Sequence, residues 1–485
     1  MKFDLLYELQ MPKPHDARSE YRCVHEALEQ IELADRLGFD TVWAVEHHFL
    51  QEFAHCSAPE VFLAAAAQRT KRIRIGHGVV LLPNRFNHPI RVAERVAMLD
   101  LVSGGRVEFG TGRSSQFEQA GFEVDVAQSR EMWQEALEII ELADRLGFDT
   151  VWAVEHHFLQ EFAHCSAPEV FLAAAAQRTK RIRIGHGVVL LPNRFNHPIR
   201  VAERVAMLDL VSGGRVEFGT GRSSQFEQAG FEVDVAQSRE MWQEALEIIP
   251  RMWTEDPFEY QGRFVTVPPR SIVPRPLQQP HPPIWMAATS PASWEIGGRN
   301  GIGILGLTLF VSVPQLEKLV AAYREAVTHA KPVGKFVNDR VGAFTIVHVA
   351  DTHDDAIANR GAEAAVNYLL YAFRVLGGFV DPSGRGMQRE SAAHEIASTP
   401  YRDMIAKEYP IIVKMMKGAC TFEDLDAEDM VIVGDVEHCI RKIERYRAAG
   451  LDHLICLMQA DRIPHAKVMR SIELFGREII PHFRG

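Results

Sequence analysis

The chain lacks the features that would place it in several large classes. Of its 485 residues only six are cysteine (Cys23, Cys56, Cys165, Cys420, Cys439 and Cys456). No two of them form a CxxC pair, which argues against a disulfide framework or a zinc ribbon. Basic residues are not in excess: the net charge is −11, the wrong sign for binding nucleic acid or an anionic membrane surface. No apolar run approaches the roughly 20 residues needed to cross a bilayer. The opening MKFDLLYELQMPKPHD has no basic segment followed by an apolar one, so a cytoplasmic location is expected. No GxGxxG follows an early strand-like run, which weakens the case for an open dinucleotide-binding sheet. What is left, 47% apolar and 24% charged residues, is the composition of an ordinary globular enzyme.

The sequence does contain a long repeat. Residues 31–140 recur letter for letter at 140–249, so 32–140 and 141–249 are identical copies offset by 109 residues. Natural solenoid repeats are shorter and have diverged, so a perfect copy reads as a recent in-frame duplication. Without one copy, 376 residues of the 485 remain, the size of one α/β barrel with insertions. Both junctions, ALEQIELADRLGF and ALEIIELADRLGF, keep an apolar stripe at helical spacing.

Eight strand candidates alternate with amphipathic stretches: 3–9, 41–46, 72–83, 106–112, 282–289, 301–307, 341–350 and 451–459. The repeat supplies second versions of three of them at 150–155, 181–192 and 215–221. Residues 258–269 read as a hairpin and 274–283 as a proline-rich connector. The stretch 352–434 reads as a helical insertion with a loop at Gly377–Gly386. This βα alternation predicts a (β/α)8 TIM barrel with a helical insertion, one domain over 1–485, plus an extra duplicated βαβαβ segment. Residues 250–485 follow directly from the second copy. That copy is therefore expected to build the barrel, importing strand one.

Barrel active sites lie at the carboxyl ends of the strands. Strand two ends in Glu46-His47-His48, and its copy in Glu155-His156-His157. His47 or His156 is the proton-handling candidate, because imidazole titrates near neutrality. A strand histidine is also commonly a hydrogen-bonded core residue. Strand four ends in Gly112-Arg113-Ser114-Ser115 and Gly221-Arg222-Ser223-Ser224, where glycines, amides, hydroxyls and a guanidinium suit a phosphate or a plain turn. Thr289, Ser290 and Ser293 open the helix after strand five, as an anion site or as helix caps. Glu46, His47 and His55 allow a rival, a metal-dependent barrel hydrolase, although their spacing matches no ligand pattern.

The stretches ADRLGFDTVWAVEHHF, RTKRIRIGHGVVLLPNRFNHPIRVAERVAMLDLVSGGRVEFGTGR, WTEDPFEYQGRFVTVPP, PLQQPHPPIWMAATSPAS and RYRAAGLDHLICLMQ resemble the bacterial-luciferase-like flavin-dependent monooxygenases. The resemblance implies a barrel that binds FMN, reduced by a separate flavin reductase. It further implies use of O2 on a small, apolar or carbonyl-containing organic substrate, and a homodimer. Arg113, Ser114 and Ser115, or Arg222, Ser223 and Ser224 in the second copy, would hold the FMN phosphate with Ser290 and Ser293. Glu46 and His47, or Glu155 and His156, would lie near the isoalloxazine ring. A non-proline cis peptide would fall around Gly78–Val80, bringing Val79, or Val188 in the second copy, to the flavin face. The same superfamily includes F420-dependent oxidoreductases; the EHHF strand ending favours FMN. Thr111 or Gly112 stands where luciferase has a reactive cysteine, which argues against light emission.

Overall fold

The computed structural model describes residues 3–11, 16–46, 55–81, 87, 89–112, 126–159, 165–309, 311–376, 411, 414 and 419–484. The first copy, with the segment before it, makes one unit. It runs β1 (Asp4–Tyr7), α1 (Ser19–Leu37), β2 (Thr41–Ala44), α2 (Pro59–Arg69), β3 (Arg74–Leu81), α3 (Pro89–Ser103), β4 (Val107–Gly112). Its four strands form a separate parallel sheet in chain order.

α4 (Val126–Leu146) leads into the second copy: β5 (Thr150–Val154), α5 (Pro168–Arg178), β6 (Arg183–Leu190), α6 (Pro198–Ser212) and β7 (Val216–Gly221). α7 (Gln225–Gly230), α8 (Ser238–Thr254) and the antiparallel hairpin β8 (Phe258–Gln261) and β9 (Thr266–Arg270) follow. The chain continues through β10 (Ile284–Ala287), α9 (Pro291–Arg299), β11 (Gly303–Leu307), α10 (Val313–Thr328) and β12 (Val341–Ala350). Next come α11 (His353–Ala358), α12 (Gly361–Leu376), α13 (Phe422–Ala427), β13 (Ile432–Asp435), α14 (Val436–Ala448) and β14 (His453–Leu457). α15 (His465–Leu474) passes through a π turn at Phe475–Ile479 into α16 (Ile480–Arg484).

The second copy builds the barrel. β5, β6, β7, β10, β11 and β12 are neighbours in that order, and β12 is long enough to pair with both β14 and β13. This eight-stranded parallel sheet curls into a nearly closed barrel. Trp285 of β10 meets Trp152 of β5 edge-on at 5.5 Å between ring centroids and His453 of β14 at 5.5 Å, so both edge strands face one interior. A polar plug closes the amino-terminal end: Glu217 accepts from Trp285 Nε1 at 2.6 Å and pairs with Arg183 at 2.5 Å and Arg340 at 3.1 Å.

Strand one is not imported, contrary to the sequence reading. β1 pairs with β2, from Asp4 opposite Thr41 to Tyr7 opposite Ala44. A right-handed βαβ crossover sets its two strands side by side. α1 carries β1 to β2, and the identical run in β5 lies beyond that crossover. The sequence also hid β13, which pairs with the end of β12, Val347 opposite Ile432, inside the stretch read as helical. The loop expected at Gly377–Gly386 lies outside the described residues.

Local chemistry explains the repeated elements. α5 starts with proline in its first turn and continues in alanine, a strong helix former. α6 is capped by His197, whose side chain accepts from the Ile199 amide, and it ends at Gly213 in the left-handed region (φ 73°). Arg215 then gathers the Ser212 and Ala176 carbonyls, at the ends of α6 and α5, and that of Ile182 just before β6, at 2.6 to 2.8 Å, satisfying carbonyls that lack intrahelical donors. Among the described residues no helix is long and apolar enough to cross a membrane.

Candidate active site

The carboxyl end of β5 carries a buried carboxylate flanked by two histidines on divergent paths. Glu155 accepts from the Leu190 amide at 2.9 Å and from Asn196 Nδ2 at 3.0 Å, tying β5 to the end of β6. Burial alone would push its carboxyl up, but Arg91, His157 and the Leu190 amide hold it well below the usual carboxylate range. His156 keeps partial exposure, and its Nδ1 lies 3.1 Å from Glu227 Oε1. His157 turns inward, with Nδ1 2.8 Å from Glu94 and Nε2 3.2 Å from Glu155. Around it pack Phe195, Phe231 and Phe158.

Strand four behaves partly as expected. The glycines of GTG serve strand packing: a Cβ on Gly219 would lie 2.1 Å from the His186 carbonyl oxygen, and one on Gly221 would lie 2.6 Å from Val188. They admit the bulged β6, whose register shifts between His186 and Val189. Arg222 is half-buried and donates to Ser238 Oγ at 3.1 Å. Among the described residues no carboxylate faces its guanidinium, and burial followed by nearby Arg239 pushes its pKa down. Ser223 stands in the left-handed region (φ 71°). Ser224 is the N-cap of α7. Its hydroxyl donates to Glu227 Oε2 at 2.8 Å and accepts from the Glu227 amide, closing a capping box on α7.

The next strand end lies alongside. Thr220 stands opposite Met286, so Arg222 and Ser290 emerge from neighbouring strands. Ser290 occupies the N-cap position of α9 without making a side-chain cap, which corrects the helix-cap alternative. Its hydroxyl instead meets that of Ser293 at 2.8 Å. The result is a cation without a facing counter-anion beside an uncapped helix N-terminus with two hydroxyls, a donor set suited to a phosphate. Thr289, exposed, precedes them.

The first copy's counterparts of this constellation are described only in part. His47, Arg113, Ser114 and Ser115 lie outside the described residues, as does the side chain of Val79, and Gly112 ends β4 in the separate sheet. Glu46 pairs with Arg200 at 3.1 Å and accepts from Asn87 at 3.0 Å, while His55 Nδ1 lies 2.8 Å from Glu20. Those partners commit two of the three groups proposed for a metal hydrolase. Among the described residues every cis peptide precedes proline, so the non-proline cis bond expected near Gly78–Val80 is not found. Sequence reasoning missed Glu94, Arg91, His157 and Glu227. Only Glu227 left a local signal, the Ser224-x-x-Glu227 capping box.

Together these features define a parallel barrel with a buried carboxylate–histidine pair at one strand end and a cluster of hydroxyl and guanidinium donors at two others. The chain belongs to the luciferase-like monooxygenase family, whose profile matches it at residues 9–142 and again at 120–453. Two overlapping matches agree with one complete barrel preceded by a partial copy.

The chain is 26% identical over 365 residues (74% of it, 92% of the relative) to the oxygenase component of flavin-dependent trigonelline monooxygenase from Acinetobacter baylyi. It is 28% identical over 394 residues (79% and 88%) to limonene 1,2-monooxygenase from Rhodococcus erythropolis. A crystal structure of a monooxygenase from Streptomyces bottropensis is 28% identical at a TM-score of 0.56, covering 74% of this chain and 94% of that one. More distant relatives include an F420-dependent glucose-6-phosphate dehydrogenase of Amycolatopsis mediterranei, 25% identical over 70% of this chain and 92% of that protein. The chain is an oxidoreductase of the flavin-dependent monooxygenase kind.

Proposed function

We propose that the chain is the oxygenase component of a two-component system. It takes reduced FMN from a separate flavin reductase and, with O2, oxygenates a small apolar or carbonyl-containing organic substrate. The observation that carries this reading is the phosphate seat of Arg222, Ser223, Ser290 and Ser293 at adjoining strand ends. Reduced flavin, when bound, supplies the activation of O2. The chain's own residues hold and shield it. Arg222 and the first turn of α9 would hold the phosphate, and Val188, which lies against Gly221 at the bulge of β6, would pack near the bound group. Phe195 and Phe231, both buried, exclude water on the β5 side. His156, oriented by Glu227 through Nδ1, holds and moves the proton. On this reading the working residues are those of the second copy.

A titration with FMN, riboflavin and F420 tests the proposal. FMN should bind saturably, and Arg222→Ala should weaken it by about 10- to 100-fold, the loss of one or two charge-assisted hydrogen bonds. Riboflavin, lacking the phosphate, should bind weakly and be indifferent to the substitution. Arg113→Ala should leave FMN binding unchanged. Binding of F420 alone would keep the fold and remove the oxygenase assignment.

A further inference from the structure

The two identical copies meet face to face. α2 packs against α5, which has the same sequence, PEVFLAAAAQR. α2 packs on α6 as α3 packs on α5, and α1 packs on α6 as α4 packs on α3. The polar contacts show the same reciprocity. Arg91 of α3 donates to the Ser166 carbonyl, and its counterpart Arg200 of α6 donates to the Ser57 carbonyl. Arg91 pairs with Glu169 at 3.1 Å and Arg200 with Glu60 at 3.4 Å. Arg91 reaches Glu155 at 3.4 Å, and Arg200 reaches Glu46 at 3.1 Å. Every pair maps onto the other through the repeat offset. An interface in which patch i meets patch j and j meets i is the isologous contact of a twofold dimer, here closed within one chain.

One consequence bears on the barrel site. Glu94, on the first copy's α3, crosses the interface to His157 Nδ1 at 2.8 Å, and Arg91 on the same helix reaches Glu155. Ile90 of that helix joins the cluster of Leu190, Phe195 and Phe231 behind the strand end. We infer that the first copy is a partner subunit built into the chain. It occupies the barrel's α5/α6 face, and its Arg91 and Glu94 are positioning residues that hold the Glu155-His156-His157 strand end. The effect on flavin rests on the monooxygenase reading above; the interface itself does not.

The experiment compares Glu94→Gln with Glu203→Gln in the full chain, and then the chain lacking residues 32–140. Glu94 and Glu203 are counterparts, each 3.1 Å from its own arginine, Arg91 or Arg200. A purely structural role would make the two substitutions equivalent. The inference expects Glu94→Gln to lower the titration midpoint of the His157 ring, followed by NMR, and to weaken FMN binding about tenfold. Glu203→Gln should move neither. The shortened chain should run as a dimer where the full chain is a monomer. In that dimer Glu203 of one chain takes the place of Glu94 against the other chain's His157, so Glu203→Gln now acquires both effects.

Equal effects of the two substitutions in the full chain would overturn the positioning role. A folded shortened chain that stays monomeric would overturn the built-in partner. If the shortened chain does not fold, the two full-chain variants still decide by the NMR titration. If FMN binds to none of the proteins, the monooxygenase reading falls, while chain mass and the His157 titration still decide the inference.

Discussion

Alkaline pH should loosen the joint between the copies through one imidazole. His157 has no exposed side-chain surface, with Glu94 2.8 Å from Nδ1 and Glu155 3.2 Å from Nε2. The other charged groups around it are Arg91, which pairs with both carboxylates, and Glu227, which accepts from the His157 amide at 2.8 Å. Burial pushes the ring's pKa down, but the two carboxylates outweigh it and Arg91 together, holding the pKa up at about 9. The unfolded value is about 6.5. Because the folded value is the higher, the charged ring stabilises the fold fully below about pH 6.5, and that contribution is lost as pH rises through about 9. The gap corresponds to roughly 3 kcal/mol. Urea unfolding between about pH 6 and pH 10, run on the parent chain and on His157→Gln, isolates this contribution, since other titrating groups act on both. The parent should lose about 3 kcal/mol more than the variant across that range. Parallel curves, or a parent that gains stability relative to the variant, would refute the reasoning.

Three further substitutions probe the packing. Gly219→Ala forces a Cβ onto the His186 and Gly187 carbonyl oxygens, 2.1 and 2.8 Å from its ideal position, and backbone cannot yield cheaply. It should cost about 3 kcal/mol by chemical denaturation, at the upper end of overpacking. Gly38→Ala meets nothing within 4 Å and carries only the left-handed φ of 90°, so about 1 kcal/mol is expected. Trp285→Phe removes the Nε1 bond to Glu217 and leaves that buried carboxylate short of a donor. About 3 kcal/mol should be lost, read from the unfolding midpoint.

The strands were legible because β-branched and apolar runs of fixed length alternate with amphipathic helices. Their sheet membership was not: β2 and β5 are the same letters, and only the path of α1 decides which one receives β1. β13 was lost because four residues between helices carry too little periodicity to stand out. Arg222 was legible from strand-end chemistry, since a cation after GTG points at an anion wherever the strand ends. Ser224 and the glycines looked alike in sequence yet serve capping and strand packing. Glu94 was out of reach for a different reason. It lies 63 residues before His157, in a copy that a one-barrel reading sets aside.

The helix PEVFLAAAAQR explains why the extra copy can persist. Its residues from proline to the last alanine are buried in both α2 and α5, Glu60 and Glu169 included. A helix apolar on nearly every side needs cover on every side, and a barrel wall covers only one. Its buried glutamate needs a cation, and each copy supplies two arginines, one within the copy and one across the interface. Arg95 pairs with Glu60 at 2.9 Å and Arg204 with Glu169 at 2.9 Å, while Arg91 and Arg200 cross over. Removing either copy strips apolar surface and strands buried charge on the other, and an uncompensated buried charge is the costlier loss. The duplicated segment thus carries, in a single stretch of sequence, both halves of a self-complementary face. That is why the first copy, with no place in the barrel, still finds a packed position against it.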